Sequence, residues 1–174
     1  MNHRDLINAC QALANEGVWC VPDEVLLKML GNPDPADLEA QVEQGAIRRI
    51  VAGFLENPCM DPPLWCLEHV ATFLRPTDRF YLSLECALSE WNWISQIAQC
   101  LTFLTTGEPG EYQTRYGRIV FEHTDEDPAQ WEGRLQFEDA RLIWVALPDK
   151  AYEDLKRANR NLDLVLPEGE RGDW

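Results

Sequence analysis

Apolar residues near the start of the chain recur at helical spacing and stop at glycines and prolines. Between Arg4 and Asn15, Leu6, Cys10 and Leu13 stand at i, i+4 and i+7, one face of an amphipathic helix that Gly17 ends. Residues 18–21 form a short β-prone run. Pro22, Asp23 and Glu24 suit a first helical turn, where proline forfeits no hydrogen bond and acids meet the positive end of the helix dipole. Val25, Leu26, Met29 and Leu30 give this second helix a buried face, and residues 31–34 break it. Pro35 to Gln44 predicts a third helix, with Leu38 and Val42 inward and Gly45 as its stop. Two β-prone runs, 46–51 and 54–56, flank Ala52-Gly53 and read as a hairpin. Three short helices followed by a small hairpin is the order of a winged helix-turn-helix. A helical cap on a larger domain has the same order.

Pro58, Pro62 and Pro63 mark a linker. The expected organisation is a winged-helix domain at 1–58, a Pro-rich tether at 59–63, a mixed α/β domain at 64–166 and a flexible tail at 167–174. In the second part, Leu64 to Leu74 reads as helix, and Ser83 is the expected N-cap of another from Leu84 to Trp91. Residues 101–106 and 118–123 read as strands, with 111–116 extended before a turn at Gly117. Leu142 to Leu147 is the strongest buried-strand pattern. Pro148-Asp149 then opens a helix to about Asn161, with Ala151, Leu155, Ala158 and Leu162 on one stripe. The predicted fold class is α+β.

Over 174 residues, 45% are hydrophobic and 26% charged, the balance of a folded domain and not of a disordered one. Lys and Arg number 15 against 30 Asp and Glu, a net charge of −15, which argues against a broad basic surface gripping phosphates nonspecifically. The acid excess is shared: residues 1–75 hold 5 bases and 11 acids, a net of −6, and residues 76–174 hold 10 and 19, a net of −9. No apolar run reaches the roughly 18 residues a membrane helix needs. The first residues lead into a helical pattern and not a secretory signal. The expected setting is the cytoplasm, with no membrane partner.

The six cysteines, at 10, 20, 59, 66, 86 and 100, are expected as reduced thiols. Cys66-Leu67-Glu68-His69 is the one metal-like fragment, and it lacks a second closely spaced ligand pair. No metal or cofactor is expected. The three histidines, His3, His69 and His123, stand near no recognisable nucleophile signature, and there is no glycine-rich phosphate loop. An enzyme reading would require a pocket gathering acids with His69 or His123. Ser83 reads as a helix cap, Glu85 and Asp154 as solvated helix acids, and Trp91, Trp93, Trp131 and Trp144 as core and edge anchors.

Two stretches together resemble the AbiEi antitoxin family of type IV, abortive-infection toxin–antitoxin systems. Residues 80–88, Phe-Tyr-Leu-Ser-Leu-Glu-Cys-Ala-Leu, followed by Ile94, are similar to the family's Tyr-x-Ser-x-x-x-Ala-Leu segment. Residues 145–155, Val-Ala-Leu-Pro-Asp-Lys-Ala-Tyr-Glu-Asp-Leu, resemble its strand-to-helix Ala-x-Pro-Glu-Lys-Ala-Leu-x-Asp motif, with Asp149 in place of Glu. Upstream, residues 45–54 look like the family's winged-helix ending, Gly-x-Ile-x-Arg-x-x-x-Gly-x-Tyr. The likeness runs from residue 4 to about 161. It implies a non-enzymatic regulator encoded beside a nucleotidyltransferase-like toxin: its winged helix binds operator DNA and represses the operon, and it opposes the toxin without a stable complex.

In such a domain the third helix enters the major groove and the wing touches the backbone. Arg48 and Arg49 are the expected phosphate contacts of the wing, and Gln44 the base-reading amide. Ala36, Asp37, Glu39, Ala40, Glu43 and Gln44 make up the expected solvent face of that helix, and its carboxylates oppose a polyanion. Lys156, Arg157 and Arg160, on the exposed side of the last helix, are further candidate DNA contacts; solvated cations that complement the helix dipole have the same pattern. Arg115 and Arg118 read as ordinary loop charge beside Gly117. The acidity favours an alternative function, a protein-interaction module or antitoxin that meets a basic partner directly without DNA.

Overall fold

The computed structural model describes residues 2–172 and divides into two compact units, one made of the residues up to Cys66 together with 114–116, the other of 67–113 and the residues from Gly117 onward. The protein is mixed α+β, with six α-helices and two sheets among the described residues.

In the first unit, α1 (His3–Asn15) starts where the Asn2 side chain accepts from Arg4 N at 3.1 Å, and it buries Leu6, Ala9 and Cys10. β1 (Cys20–Pro22) follows, then α2 (Asp23–Met29) and α3 (Pro35–Glu43). Asp34 caps α3 by accepting from Ala36 N at 2.9 Å. Gly45, at φ +73°, takes the left-handed conformation that ends it, as glycine does without a Cβ penalty. β2 (Arg48–Val51) and β3 (Phe54–Glu56) form the hairpin. The sheet order is β1-β3-β2, antiparallel throughout, with Val21 opposite Leu55 and Arg48 opposite Glu56.

Leu6, Cys10, Leu26, Leu38, Val21, Ile47 and Leu55 form the core, each worth about 1.5–3 kcal/mol for a full-sized aliphatic side chain. Val42, expected inward, is only partly buried, and Gln41 takes the second inward position of α3. Asn57 is fully buried and staples the unit: its Nδ2 donates to the carbonyls of Cys10 (3.0 Å) and Val18 (2.7 Å), and its Oδ1 accepts from Cys59 N (3.0 Å). Cys59, the first residue of the expected tether, packs against this core, and the boundary between the units falls after Cys66.

α4 (Cys66–Leu74) begins at that boundary. The second unit continues with β4 (Phe80–Leu82), α5 (Leu84–Glu90), β5 (Leu101–Thr105), β6 (Gly110–Gln113), β7 (Arg118–His123), β8 (Leu135–Glu138), β9 (Ile143–Ala146) and α6 (Pro148–Ala158). Six strands form one sheet in the order β6-β7-β5-β4-β9-β8, parallel at β5/β7 and β4/β9 and antiparallel elsewhere. Phe80, Phe103 and Phe121 pack with ring centroids 5.3 Å apart, and Tyr81, Leu82, Leu88, Val145 and Leu155 complete the core.

Two elements depart from the expectation. β4 and β8 carry no apolar run long enough to stand out, and β8 lies at a sheet edge where its apolar side chains are only partly covered. The tail, expected to be flexible from 167, is hydrogen-bonded as far as Gly172: Leu166 N donates to Trp93 O (2.8 Å), and the Arg171 guanidinium lies 4.5 Å from the Trp93 ring. Asp173 and Trp174, the end of that expected tail, lie outside the described residues.

Candidate functional site

The expected DNA contacts of the first unit sit around α3 and the hairpin. Gln44 is the exposed C-cap of α3. Exposed with it on that helix are Ala36, Glu39 and Glu43, while Asp37 and Ala40 are partly covered. Arg49 points back at the helices. Its Nη1 donates to both carboxylate oxygens of Asp23 on α2, at 3.1 and 2.9 Å, and its Nη2 to Glu39 on α3, at 2.5 Å. It therefore clamps the hairpin to α2 and α3, with its charge spent inside the unit. Arg48 faces outward, 60% exposed, with Nη1 3.2 Å from Glu56 Oε1.

Arg115, read from sequence as loop charge, belongs to this unit. Its backbone N–H donates to Ile50 O at 2.8 Å, along the free edge of β2, and its Nε lies 3.1 Å from Glu56 Oε2. The same oxygen accepts from the Tyr116 hydroxyl at 2.8 Å. Burial, then the bond to Glu56, pushes the Tyr116 phenol up, which keeps it the donor.

The cations at the end of the last helix are not a free basic stripe: α6 ends at Ala158, not near Asn161 as expected, so Arg160 lies beyond it. Arg160 donates to Glu85 from Nε (2.9 Å) and pairs with Glu122 through Nη1 (2.7 Å). Arg157 lies 3.5 Å from both Glu126 and Asp154. Lys156 Nζ sits 4.5 Å from the Tyr152 ring centroid. Burial alone would raise the Glu85 carboxyl, but hydrogen bonds from Arg160 and Asn161 hold it below the usual carboxylate range.

The two stretches that carry the family resemblance converge in the second unit. The parallel pairing of Leu82 with Val145 sets the end of β4 beside the end of β9. Asp154 of α6 then accepts from Ser83 Oγ at 2.7 Å and from Tyr81 OH at 3.1 Å through one oxygen, and from Lys150 Nζ at 2.5 Å through the other. Lys150, with no exposed side-chain surface, also pairs with Glu126 Oε2 at 2.7 Å and stands 5.1 Å from the Tyr81 ring centroid. Glu126 accepts in turn from Trp131 Nε1 at 3.0 Å. Tyr81 is pushed up by burial and by the Asp154 charge, so its proton stays in the network. Each buried polar atom of this network has a partner, the condition under which such a cluster holds its elements in one arrangement.

Ser83 is therefore not a side-chain cap; its hydroxyl is turned to α6, and the chain enters α5 through Leu84 at φ +57°, a conformation that costs a non-glycine residue about 1–2 kcal/mol. Nor is Asp154 a solvated acid, and Glu85 is engaged elsewhere, so the two are not a pair. Asp149, the departure from the family's Glu, is exposed in the first turn of α6 and outside the network.

A cavity of about 380 Å³ beside Asp154 gathers Glu122, His123, Asp125 and Glu126, the combination an enzyme reading requires. Its carboxylates are already paired: Glu122 with Arg160, Asp125 with His123, and Glu126 and Asp154 with Lys150. Ser83 does not line the cavity and is fully buried, and the hydroxyl residue that does line it, Thr124, donates to no base among the described residues but accepts from Glu126 N at 3.3 Å. Burial holds the Cys10 and Cys86 thiols up at about 11, far from thiolate chemistry at neutral pH. Among the described residues no three His, Cys, Asp or Glu side chains gather where they could hold a metal, and no helix is long and apolar enough to cross a membrane. Trp93 and Trp131 are buried anchors, and Trp144 lies half-exposed against Phe137.

No family model, curated protein or solved structure matches the chain.

Proposed function

We propose that the protein is a non-enzymatic, antitoxin-type transcriptional regulator of the cytoplasm, whose first unit is a winged helix-turn-helix that binds operator DNA and whose cellular role is to counter a nucleotidyltransferase-like toxin encoded nearby. The observation that carries this reading is the element order of the first unit, helix–strand–helix–helix–hairpin, closed into the sheet β1-β3-β2. Convergence of Tyr81, Ser83, Lys150 and Asp154 supports the family resemblance, since the residues that carry it act together.

The test is binding to the DNA upstream of the protein's own gene, followed by fluorescence anisotropy at 50 mM salt, where phosphate contacts are strongest. A salt-sensitive complex that discriminates against unrelated duplex is the expected result. Equal affinity for both duplexes, or none for either, sinks the operator reading.

A second reading rests on the charge. The first unit holds 5 Lys and Arg against 10 Asp and Glu, a net of −5, and α3 exposes Glu39 and Glu43. Such a surface suits a basic protein partner. Co-purification with the neighbouring gene product, lost at high salt and unaffected by Arg48→Ala, would favour this reading over the first.

A further inference from the structure

We propose that Arg48 and Arg115 form a two-arginine clamp for one phosphate of the nucleic-acid backbone, preassembled on the carboxylate of Glu56; this assignment rests on the operator-binding reading. Glu56 is the keystone. Its side chain is only 12% exposed, whereas Arg48 is 60% and Arg115 44% exposed, so one negative charge lies beneath two positive ones. The solvent-facing result is a cationic spot on a unit that is otherwise acidic.

The hydrogen-bond inventory leaves the clamp open. Arg48 donates from Nη1 to Glu56 and Arg115 forms an ion pair with it through Nε, so each guanidinium keeps donors for an outside acceptor. Tyr116 donates to the Glu56 oxygen that Arg115 engages, fixing the carboxylate from a third side, and its ring lies 6.0 Å from Trp19. The backbone is fixed as well. Arg48 and Glu56 are a direct cross-strand pair, and Arg115 N is bonded to Ile50 O. Two guanidiniums held in place before the ligand arrives lose little side-chain entropy on binding, and paired Arg donors match phosphate geometry. Arg49, adjacent in sequence, is excluded because Asp23 and Glu39 already take its donors.

The test compares wild type with Arg48→Ala, Arg115→Ala and Arg115→Lys on the upstream duplex across 50–200 mM salt, with thermal melts to confirm folding. Each alanine variant is expected to bind about tenfold more weakly, with a salt slope smaller by about one. Arg115→Lys should keep the slope while losing part of the affinity, because it keeps the charge but not the anchored fork. Wild-type binding with Arg115→Ala unchanged overturns the clamp and leaves the operator reading standing. If wild type binds no duplex, the operator reading falls, and titration with inorganic pyrophosphate decides the clamp. Perturbation of both the Arg48 and Arg115 Nε–H resonances then sustains it as a phosphate site, and perturbation of only one or neither overturns it.

Discussion

Replacing Lys150 by Met removes the ammonium from the buried network while keeping most of the aliphatic stem, so packing changes little. What changes is charge. Asp154, with no exposed side-chain surface, and Glu126, 7% exposed, lose the cation at 2.5 and 2.7 Å, leaving only the Arg157 guanidinium at 3.5 Å. Breaking a buried pair by deleting one partner costs about 3–5 kcal/mol, roughly a fifth or more of an ordinary stability. For a chain of this length that lowers the melting temperature by roughly 10 °C. The pH dependence carries the sharper test. Burial would raise the Glu126 carboxyl, but the hydrogen bond and charge of Lys150, with Arg157, hold it below its usual range. A carboxyl depressed in the folded state contributes stability above its unfolded value, about 4.3, and loses it as pH falls through the lower folded value. Without Lys150 that depression is lost and protonation relieves the stranded charge. The deficit of Lys150→Met should therefore be largest at pH 7–8 and narrow as pH approaches 4, measured by calorimetry of both proteins. Adding Glu126→Gln and Asp154→Asn should recover part of the loss at neutral pH. A variant that melts like wild type at pH 7, or with a deficit constant from pH 8 to 4, refutes the charge argument.

Three further outcomes are expected. Arg49→Ala should cost about 1–2 kcal/mol in urea denaturation, because it severs the hairpin from Asp23 and Glu39; Arg48→Ala should cost under about 1 kcal/mol, as an exposed pair does, which makes it the cleaner reporter of DNA contact. Asn159, exposed at φ +50°, ends α6 in the left-handed conformation, so Asn159→Val should destabilise by about 1 kcal/mol while Asn159→Gly is neutral or better; equal effects of the two would contradict the backbone explanation. His123 is exposed but donates from Nδ1 to Gly107 O (2.9 Å) and from Nε2 to Asp125 (3.0 Å), an arrangement only the imidazolium satisfies at both nitrogens. Its NMR titration midpoint should lie above 6.5 and fall when Asp125 becomes Asn; any stability it contributes is present at lower pH and lost as pH rises through that midpoint.

Local chemistry was readable wherever it acts over one or two turns. The first three helices, with a glycine after each of them, follow from apolar spacing and φ preference, and the β9–α6 passage from its apolar run and Pro148. What escaped depends on pairing over long separations. Nothing in residues 80–83 says that Leu82 will lie beside Val145, yet that register delivers Tyr81 and Ser83 to Asp154. The same limit applied to the cations: Arg48 and Arg49 are indistinguishable as sequence, but strand alternation turns one outward and the other onto two acids. Arg115 looked like loop charge because its partner, Glu56, lies 59 positions earlier.

That distance has a consequence for how the protein is made. A ribosome finishes residues 1–66 with Glu56 still lacking two of its three partners, and Arg115 and Tyr116 emerge only after another fifty residues have been added. At ordinary synthesis rates that is about 3–10 s in which the nascent hairpin edge at Ile50 is uncapped. The phosphate clamp, assembled from both ends of that interval, then exists only once synthesis is well into the second unit.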